Sequence, residues 1–318
     1  MIKLLSISDD EWSLKKFGSR AENVRAFLNE NDFQGLELMH WQEEGTGEIP
    51  MDKVVGRHML FWPNWLDFWR SDEPQLFREF GSEQNWREYY NAVSIRDFME
   101  NRHKELEDAA AMDVRYVVFH VSHVRMEDCY TRRYSSSDRE VVNAFIDMMN
   151  EALLRIKGNF TILFENHWYP GLRLTDGDLA MRLLEGVHWP DKGFVLDISH
   201  MINTGSDIKS EPEAVGYILK VLDRLGEAKE HIRAIHLNSS VSGTASRDKK
   251  YDPEESFMTR LIAAMKHVGS MDPHAPFTYS GIRRVIDAVL PEFLVYELKA
   301  DTLEELKDAA RIQNKSIL

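Results

Sequence analysis

The fold of this chain is constrained most by a regular alternation of short apolar runs with longer amphipathic stretches. Eight runs of strand length occur, at residues 2–7, 35–39, 54–60, 115–121, 161–165, 194–198, 234–237 and 293–298. Amphipathic stretches typical of helices separate most of them, at residues 20–28, 95–111, 137–156, 176–185, 212–225 and 254–267. Strands that alternate with helices indicate a parallel sheet covered by helices.

Eight strand–helix units predict closure into a (β/α)8 barrel, an α/β fold of the TIM-barrel type. The 318 residues suffice for one such domain, so residues 1–318 are expected to form a single unit. An open doubly wound sheet is the alternative. It fits less well because no G-x-G-x-x-G motif follows the first strand and because polar residues recur at the ends of many strands.

Two departures from regular repetition are visible. Only about a dozen residues separate the second and third strands, so that unit is expected to be abbreviated. An insert at approximately residues 61–94 follows the third strand and holds Trp62, Trp65, Trp69 and Trp86, half of the eight tryptophans. It is predicted to be a helical cap that buries its rings against the barrel. The alternative is that part of this cap also roofs the active site.

Acids and imidazoles dominate the C-terminal ends of the predicted strands. The residues are Glu37, His58, His120, Glu165, Asp197, His200, His236 and Glu297. One such residue alone is usually a hydrogen-bonded core group, but side chains of this type at successive strand ends predict a shared cation. Cys129 is the only cysteine, which excludes a thiolate cluster within the chain. Mixed His and carboxylate ligands indicate zinc or manganese, with magnesium as a further option.

Four of these strand ends resemble a known family. FEN at 164–166, LDISH at 196–200, IHLN at 235–238 and YEL at 296–298 are similar to the signatures of the xylose isomerase-like barrels. That superfamily contains sugar isomerases and epimerases, and the endonuclease IV type of abasic-site nuclease (AP endonuclease family 2). The resemblance runs from the GLEL strand at 35–38 to the last helix, and it implies the barrel fold and a divalent metal.

Within the isomerase and epimerase branch, the resemblance implies one ion held by Glu165, Asp197, His236 and Glu297. Glu165 and Glu297 would then also be the catalytic acid/base pair that moves a proton beside a carbonyl, while His200 would contact the substrate. This chemistry is coherent, because a cation stabilises the enediolate as its charge develops.

The endonuclease IV branch implies a wider ligand set for three zinc ions. His58, His120 and His200 match it in strand order, beside the four residues already named. The family's D-x-H pair would correspond to Asp272 and His274, although here it follows His236 at a greater distance. The alternative for Asp272–His274 is an ordinary turn, since Asp-Pro is a common turn opener.

Three further residues are candidates for substrate contacts. Trp168 follows the fifth strand directly and would stack on a ring, although packing at the barrel rim explains it equally well. Arg132 and Arg247 lie in loops after the fourth and seventh strands, where they would bind a phosphate or carboxylate group. The alternative for both arginines is a solvated loop.

The net charge of −14 disfavours nucleic acid as a partner without excluding it. The acidic loop at 40–48 and the aromatic insert also favour a small sugar-like or phosphorylated substrate. No stretch is apolar enough for a membrane helix, so a soluble, cytoplasmic protein is expected, with its oligomeric state open. The favoured function is a metal-dependent sugar isomerase or epimerase. A multinuclear phosphoester hydrolase is the alternative, and a non-catalytic metal- or ligand-binding barrel is third.

Overall fold

The computed structural model describes residues 1–41, 47–205, 208–241 and 250–318. Eight parallel strands close into a barrel in sequential order. Each of the eight predicted strands is present, so the (β/α)8 barrel is confirmed. The strands are β1 Ile2–Ser8, β2 Gly35–Met39, β3 Val54–His58, β4 Tyr116–His120, β5 Thr161–Glu165, β6 Lys192–Asp197, β7 Ile232–Leu237 and β8 Phe293–Tyr296.

Helices surround the barrel and form the insert. They are α1 Glu11–Lys15, α2 Ala21–Glu30, α3 Leu66–Trp69, α4 Glu73–Phe80, α5 Glu83–Tyr90, α6 Ile95–Ala111, α7 Met126–Thr131, α8 Asp138–Ala152, α9 Gly177–Gly186, α10 Ile198–Thr204, α11 Glu211–Arg224, α12 Phe257–Met271, α13 Arg283–Val289 and α14 Leu303–Ser316. Capping boxes fix the starts of α8 and α14. In the described part of the β2–β3 connection the regular structure is a single 3-10 turn, Met51–Lys53. No described helix is both long and apolar enough to cross a membrane.

The barrel interior changes from apolar to polar along its axis. Because side chains alternate across a strand, every second residue points inward. The lower inward positions are filled by a buried apolar cluster that consists of Leu4, Tyr116, Val118, Leu163, Val195, Ala234, Phe293 and Val295. One or two inward positions further along, the strands carry the acids and imidazoles instead. The polar groups therefore rest on a layer of buried apolar side chains.

The insert packs as three short helices, α3 to α5, whose rings are largely internal. Trp65 donates from Nε1 to the Ser122 carbonyl at 2.8 Å, and Phe68 stacks on Tyr90 with ring centroids 4.3 Å apart. Phe80 of α4 reaches Phe257 of α12 with centroids 5.1 Å apart. The insert and α12 thus meet above the C-terminal ends of the strands.

A buried histidine at the base of the insert makes stability depend on pH. His123 is only 2% exposed, and its Nδ1 accepts a weak hydrogen bond from the Leu66 N–H at 3.4 Å. Burial lowers the pKa of His123 to about 4, an effect that nearby Asp67 only partly offsets. An unfolded histidine has a pKa near 6.5, so the unfolded state binds more protons between these values.

We therefore expect the stabilisation from neutral His123 to be complete above about pH 6.5 and to disappear as the pH falls toward 4. Between pH 7 and 5 the loss from this residue is roughly 2 kcal/mol. Urea unfolding of the wild type and of His123→Gln at pH 7 and pH 5 measures this loss of unfolding free energy. The variant should lose less stability on acidification; an equal loss in both proteins would contradict the assignment.

Candidate metal centre

Eleven acids and imidazoles converge at the C-terminal mouth of the barrel. Two of them are Glu37 and His167, and the nine that the sequence predicts as metal ligands are His58, His120, Glu165, Asp197, His200, His236, Asp272, His274 and Glu297. Seven of these nine come from six strand ends and the first turn of α10, and the other two follow α12. The nine residues predicted as metal ligands therefore lie in one cluster. Their oxygen and nitrogen atoms fall into overlapping groups of three in which the donor atoms lie within 4.8 Å of one another.

Glu165 is the centre of this cluster. Its carboxylate lies 3.1 Å from His58 Nε2, 3.4 Å from His120 Nε2 and 3.0 Å from His200 Nδ1. Burial alone would raise the pKa of Glu165, but the surrounding imidazoles outweigh it and hold the pKa well below the ordinary value. The Glu165 carboxylate is thus an anion shared between several potential cation positions.

The two ring nitrogens of His58 face a carbonyl and a carboxylate. Its Nδ1 lies 3.0 Å from the Met59 carbonyl, which can only accept, so Nδ1 carries the proton. Its Nε2 faces the Glu165 carboxylate at 3.1 Å. Burial lowers the pKa of His58, but the contact with Glu165 outweighs it and raises the pKa, which favours a proton on Nε2 as well. Two acceptors at this separation need a proton or a cation between them.

His236 is oriented by the residues beneath it. Its Nε2 donates to Glu37 at 3.2 Å, and Glu37 in turn accepts a hydrogen bond from the Tyr116 hydroxyl at 2.7 Å. The Nδ1 atom therefore points into the cluster, 3.2 Å from Glu297 and 3.5 Å from Glu165. This carboxylate–histidine arrangement is typical of metal sites, where it fixes the imidazole tautomer.

The Tyr116 ring fits beneath Glu37 because residue 56 is glycine. A Cβ at Gly56 would lie 2.2 Å from the Tyr116 ring. We expect Gly56→Ala to lose about 1–3 kcal/mol of folding stability through overpacking and about 10–100-fold in metal affinity. Urea unfolding and metal titration measure the two effects. Gly216→Ala is the matched control, because a Cβ there meets open space; identical metal affinity in both variants would contradict the relay from Tyr116 to His236.

Asp197 is held by backbone and amide groups. It caps α10 by accepting from the His200 N–H at 2.6 Å, and its other oxygen accepts from Asn238 Nδ2 at 3.1 Å. Asn166 bonds the Asp197 peptide on both sides, at 2.8 and 3.2 Å. Burial raises the pKa of Asp197 to about 7, so a cation would be needed to keep it fully ionised at neutral pH.

Asp272 and His274 join the cluster even though α12 separates them from β7. The chain returns to the barrel through a bridge between Ser239 and Ala275, with N–H···O distances of 2.8 and 3.2 Å. This places Asp272 Oδ2 3.3 Å from His200 Nε2 and 2.9 Å from His274 Nε2. His274 adopts the left-handed region at φ 49°. Asp272 and His274 thus lie in the cluster, and their role as metal ligands stays a prediction.

The cluster geometry fits bound divalent ions. Ligand atoms at about 2.0–2.1 Å from a tetrahedral zinc lie about 3.3 Å apart. The separations between ligand atoms of 2.9 to 3.5 Å in this cluster are close to that value. Five groups of three occur among the described residues. They are His58–His120–Glu165, Glu165–Asp197–His236, His200–Asp272–His274, His120–His167–His200 and Glu37–His236–Glu297.

Two further predicted site residues, Trp168 and Arg132, are not among the candidate metal-binding groups. Trp168 is buried beside it, with its ring centroid 5.1 Å from that of His200. Arg132 contacts the Met271 sulfur at 3.7 Å, one residue before Asp272, and is not among the described ligand groups. Arg247 lies outside the described residues.

His167 is a member of the cluster that the strand-end pattern did not single out. Its ring lies 4.5 Å from His200 and 5.6 Å from His120, measured between centroids. Its Nδ1 accepts from the Tyr169 N–H at 3.3 Å. Burial, with His200 and His120 adding to it, lowers the pKa of His167 well below the ordinary value, so the ring is neutral. The sequence feature that could have identified His167 is its position two residues after Glu165, because residues two apart in extended chain point to the same side.

Two cavities open on the cluster from opposite sides. The aromatic cavity has a volume of 380 Å³ and lies between the insert, α12 and the segment after β5; Asp272 and His274 form its inner end. The polar cavity has a volume of 350 Å³ and reaches the same two residues and Glu297 from the β1 side, where Ser6, Ser8, Lys16 and Lys299 line it.

Comparison with known proteins identifies the family. The model of the xylose isomerase-like TIM barrels matches residues 85–288, more than half of the chain. The chain belongs to the xylose isomerase-like TIM barrel family. No curated protein matches the sequence.

Solved structures share this fold at low sequence identity. Endonuclease IV from Thermus thermophilus aligns with a TM-score of 0.54 and 15% identity over 100% of this chain and 99% of its own. A 3-keto-D-glucoside 4-epimerase from E. coli gives 0.51 and 12% identity over 99% of each chain. An L-ribulose 3-epimerase gives 0.51 and 12% over 98% of this chain and 87% of its own. The xylose isomerase-like fold is thus common to nucleases and epimerases, and the family makes an enzyme the expected class.

Proposed function

We propose that this protein is a multinuclear metal-dependent phosphoester hydrolase that acts on a small substrate. The observation that carries the proposal is the third ligand group, His200, Asp272 and His274, beside the two groups that share Glu165. A reaction that needs one ion has no use for this group. Sequence analysis favours isomerisation over hydrolysis, because from sequence alone Asp272 and His274 can also be a simple turn. Their position beside His200 reverses that preference.

The roles of the chain's own residues follow from their contacts. Glu165 would link two ion positions, while Glu37 and Asn238 fix the orientation of His236 and Asp197. Bound divalent ions would supply Lewis acidity, which lowers the pKa of water and neutralises charge that develops on a phosphoryl group. Phe61 stacks on His120 with centroids 4.6 Å apart and shields that side of the cluster from solvent.

Closure of the mouth supports a small substrate rather than a nucleic acid duplex. The insert and α12 meet at Phe80 and Phe257 above the strand ends, where a duplex would have to lie. The net charge of −14 also opposes a polyanion. A zinc or manganese ion, with magnesium as a further option, fits the mixed His and carboxylate donors.

A specific observation favours isomerisation or epimerisation as the second candidate. Glu165 and Glu297 both lie beside His236 Nδ1, at 3.5 and 3.2 Å, as an acid/base pair around one ion would. A non-catalytic binding barrel remains the third candidate.

Two parallel assays separate the candidates. The zinc- or manganese-loaded protein is incubated with phenyl phosphate, and separately with D-fructose in D2O. We expect phosphate release, and no deuterium incorporation beside the ketose carbonyl by NMR. Deuterium exchange without phosphate release would favour the isomerase instead. A duplex with an abasic site should remain uncut at moderate salt.

A further inference from the structure

His167 carries a hydrogen-bond donor that the described part of the chain does not use. Its Nδ1 accepts from the Tyr169 N–H at 3.3 Å, and this is the one hydrogen bond of the ring among the described residues. A neutral imidazole that accepts at Nδ1 has its proton on Nε2. The residue is only 5% exposed and lines the aromatic cavity. A ligand in that cavity can therefore accept a hydrogen bond from Nε2.

The position of the proton also decides between two uses of His167. His120, His167 and His200 form one of the five groups of three, but a metal ligand needs a free lone pair on nitrogen. The Nδ1 lone pair of His167 faces the Tyr169 N–H, and its Nε2 carries the proton. His167 is thus suited to donate a hydrogen bond beside the ions and not to bind one of them.

The ring of His167 is held in one orientation before any ligand binds. It stacks on Trp168 with centroids 4.0 Å apart and on Tyr169 with centroids 4.8 Å apart. The backbone N–H of His167 donates to the Leu172 carbonyl at 2.9 Å, and the Leu172 N–H donates to the Val121 carbonyl at 2.7 Å. A donor fixed in this way stabilises negative charge without the cost of reorienting.

The surroundings of the donor indicate an acceptor that is bound to the metal centre. The cavity ends at Asp272 and His274, and the His167 ring lies 4.5 Å from that of His200. Glu165 and Asp272 act on His167 electrostatically, yet neither forms a hydrogen bond with its ring. Both carboxylates belong to ligand groups, so bound ions would neutralise their repulsion of an anion.

We propose that His167 Nε2 donates a hydrogen bond to a non-bridging oxygen of the substrate's phosphoryl group. Such an oxygen is a charged acceptor without a proton of its own, which suits a neutral N–H donor. The inference rests on the proposed function and adds a residue to it that is not a metal ligand. It also places the phosphoryl group at the inner end of the aromatic cavity, between His167 and the ions.

The test uses inorganic phosphate as the probe and two variants with opposite losses. Calorimetric titration of the full-length, zinc-loaded protein, after removal of free zinc, should give a dissociation constant of about 1 mM or tighter. His167→Phe keeps an aromatic ring but loses the donor, and it should weaken phosphate binding about 10–100-fold. His167→Gln loses the ring but keeps an N–H donor of similar reach, so its affinity should stay within about fivefold of the wild type.

His188→Phe is the matched control, because His188 is exposed and precedes β6 at the opposite end of the barrel. It should bind phosphate like the wild type. Elemental analysis should give the same zinc content for all four proteins, and thermal melting of each establishes that it is folded. A lower zinc content in His167→Phe would overturn the proposal, because His167 would then be a ligand.

Three further results would overturn the proposal: no phosphate binding by the wild type, unchanged affinity in His167→Phe, or equal weakening in His167→Phe and His167→Gln. The titration requires no turnover, so its outcome is separate from that of the phenyl phosphate assay. Phosphate binding that depends on the His167 donor, without hydrolysis of phenyl phosphate, would support the phosphoryl-binding role and contradict the hydrolase alone.

Discussion

Replacing Glu165 with glutamine is expected to lower kcat/KM for phosphoester hydrolysis by about 1000-fold or more, since several kcal/mol of charge stabilisation would be lost. Glutamine keeps the volume but removes the negative charge that faces His58, His120 and His200 at 3.0 to 3.4 Å. Because this carboxylate belongs to two of the ligand groups, the bound metal should also decrease. Steady-state kinetics and elemental analysis of the same sample measure both effects.

The matched control is Glu185→Gln, an exposed position on α9 that is remote from the cluster. It should retain wild-type kinetics and metal content. Activity of Glu165→Gln within tenfold of the wild type would contradict the role of this residue in either candidate reaction, because the isomerase would use the same carboxylate as its acid/base group.

The second large effect is expected at the outer ligands. Asp272→Asn should lower hydrolytic kcat/KM by about 100-fold or more, since it removes the anion that lies 2.9 to 3.3 Å from His274 and His200. His58→Ala should be equally severe because it empties one position of the first group. A barrel that uses one ion at Glu165, Asp197, His236 and Glu297 would tolerate both changes. The two substitutions therefore separate a multinuclear from a mononuclear centre.

Asp223→Asn, at an exposed position on α11, is the control for Asp272→Asn. Kinetics are compared at saturating metal, so that a weakened site is not mistaken for a lost function. Near wild-type activity in both His58→Ala and Asp272→Asn would leave the isomerase as the better candidate.

The barrel and its polar mouth were predictable from the sequence for a simple physical reason. Buried parallel strands are continuous apolar runs, and a His, Asp or Glu at the end of such a run is conspicuous. The inward parity of Glu165, Asp197 and His236 follows from strand geometry once the strands are located. Predicting each strand end therefore also predicted which side chains meet.

Residues outside the strands were harder to place. Asp272 and His274 follow α12, and the bridge between Ser239 and Ala275 returns them to the mouth. That contact joins residues far apart in the chain, so no periodic pattern in the sequence indicates it. Glu37 was visible as an acid in β2, but its support of His236 depends on Tyr116 and Gly56 in neighbouring strands.

The insert illustrates the same limit. Its aromatic content predicted buried rings, which the packing of Phe68 on Tyr90 bears out. The contact between Phe80 and Phe257, which closes the mouth and forms one side of the aromatic cavity, joins segments far apart in sequence. The site residues and the single domain stay predictions until variants of the protein are measured.

The metal content of the purified protein tests the central claim most directly. Elemental analysis after loading with zinc and removal of free metal should give about three ions per chain, one for each of the groups His58–His120–Glu165, Glu165–Asp197–His236 and His200–Asp272–His274. One ion per chain would contradict the multinuclear hydrolase and favour the isomerase. The absence of bound metal would contradict the metal centre itself.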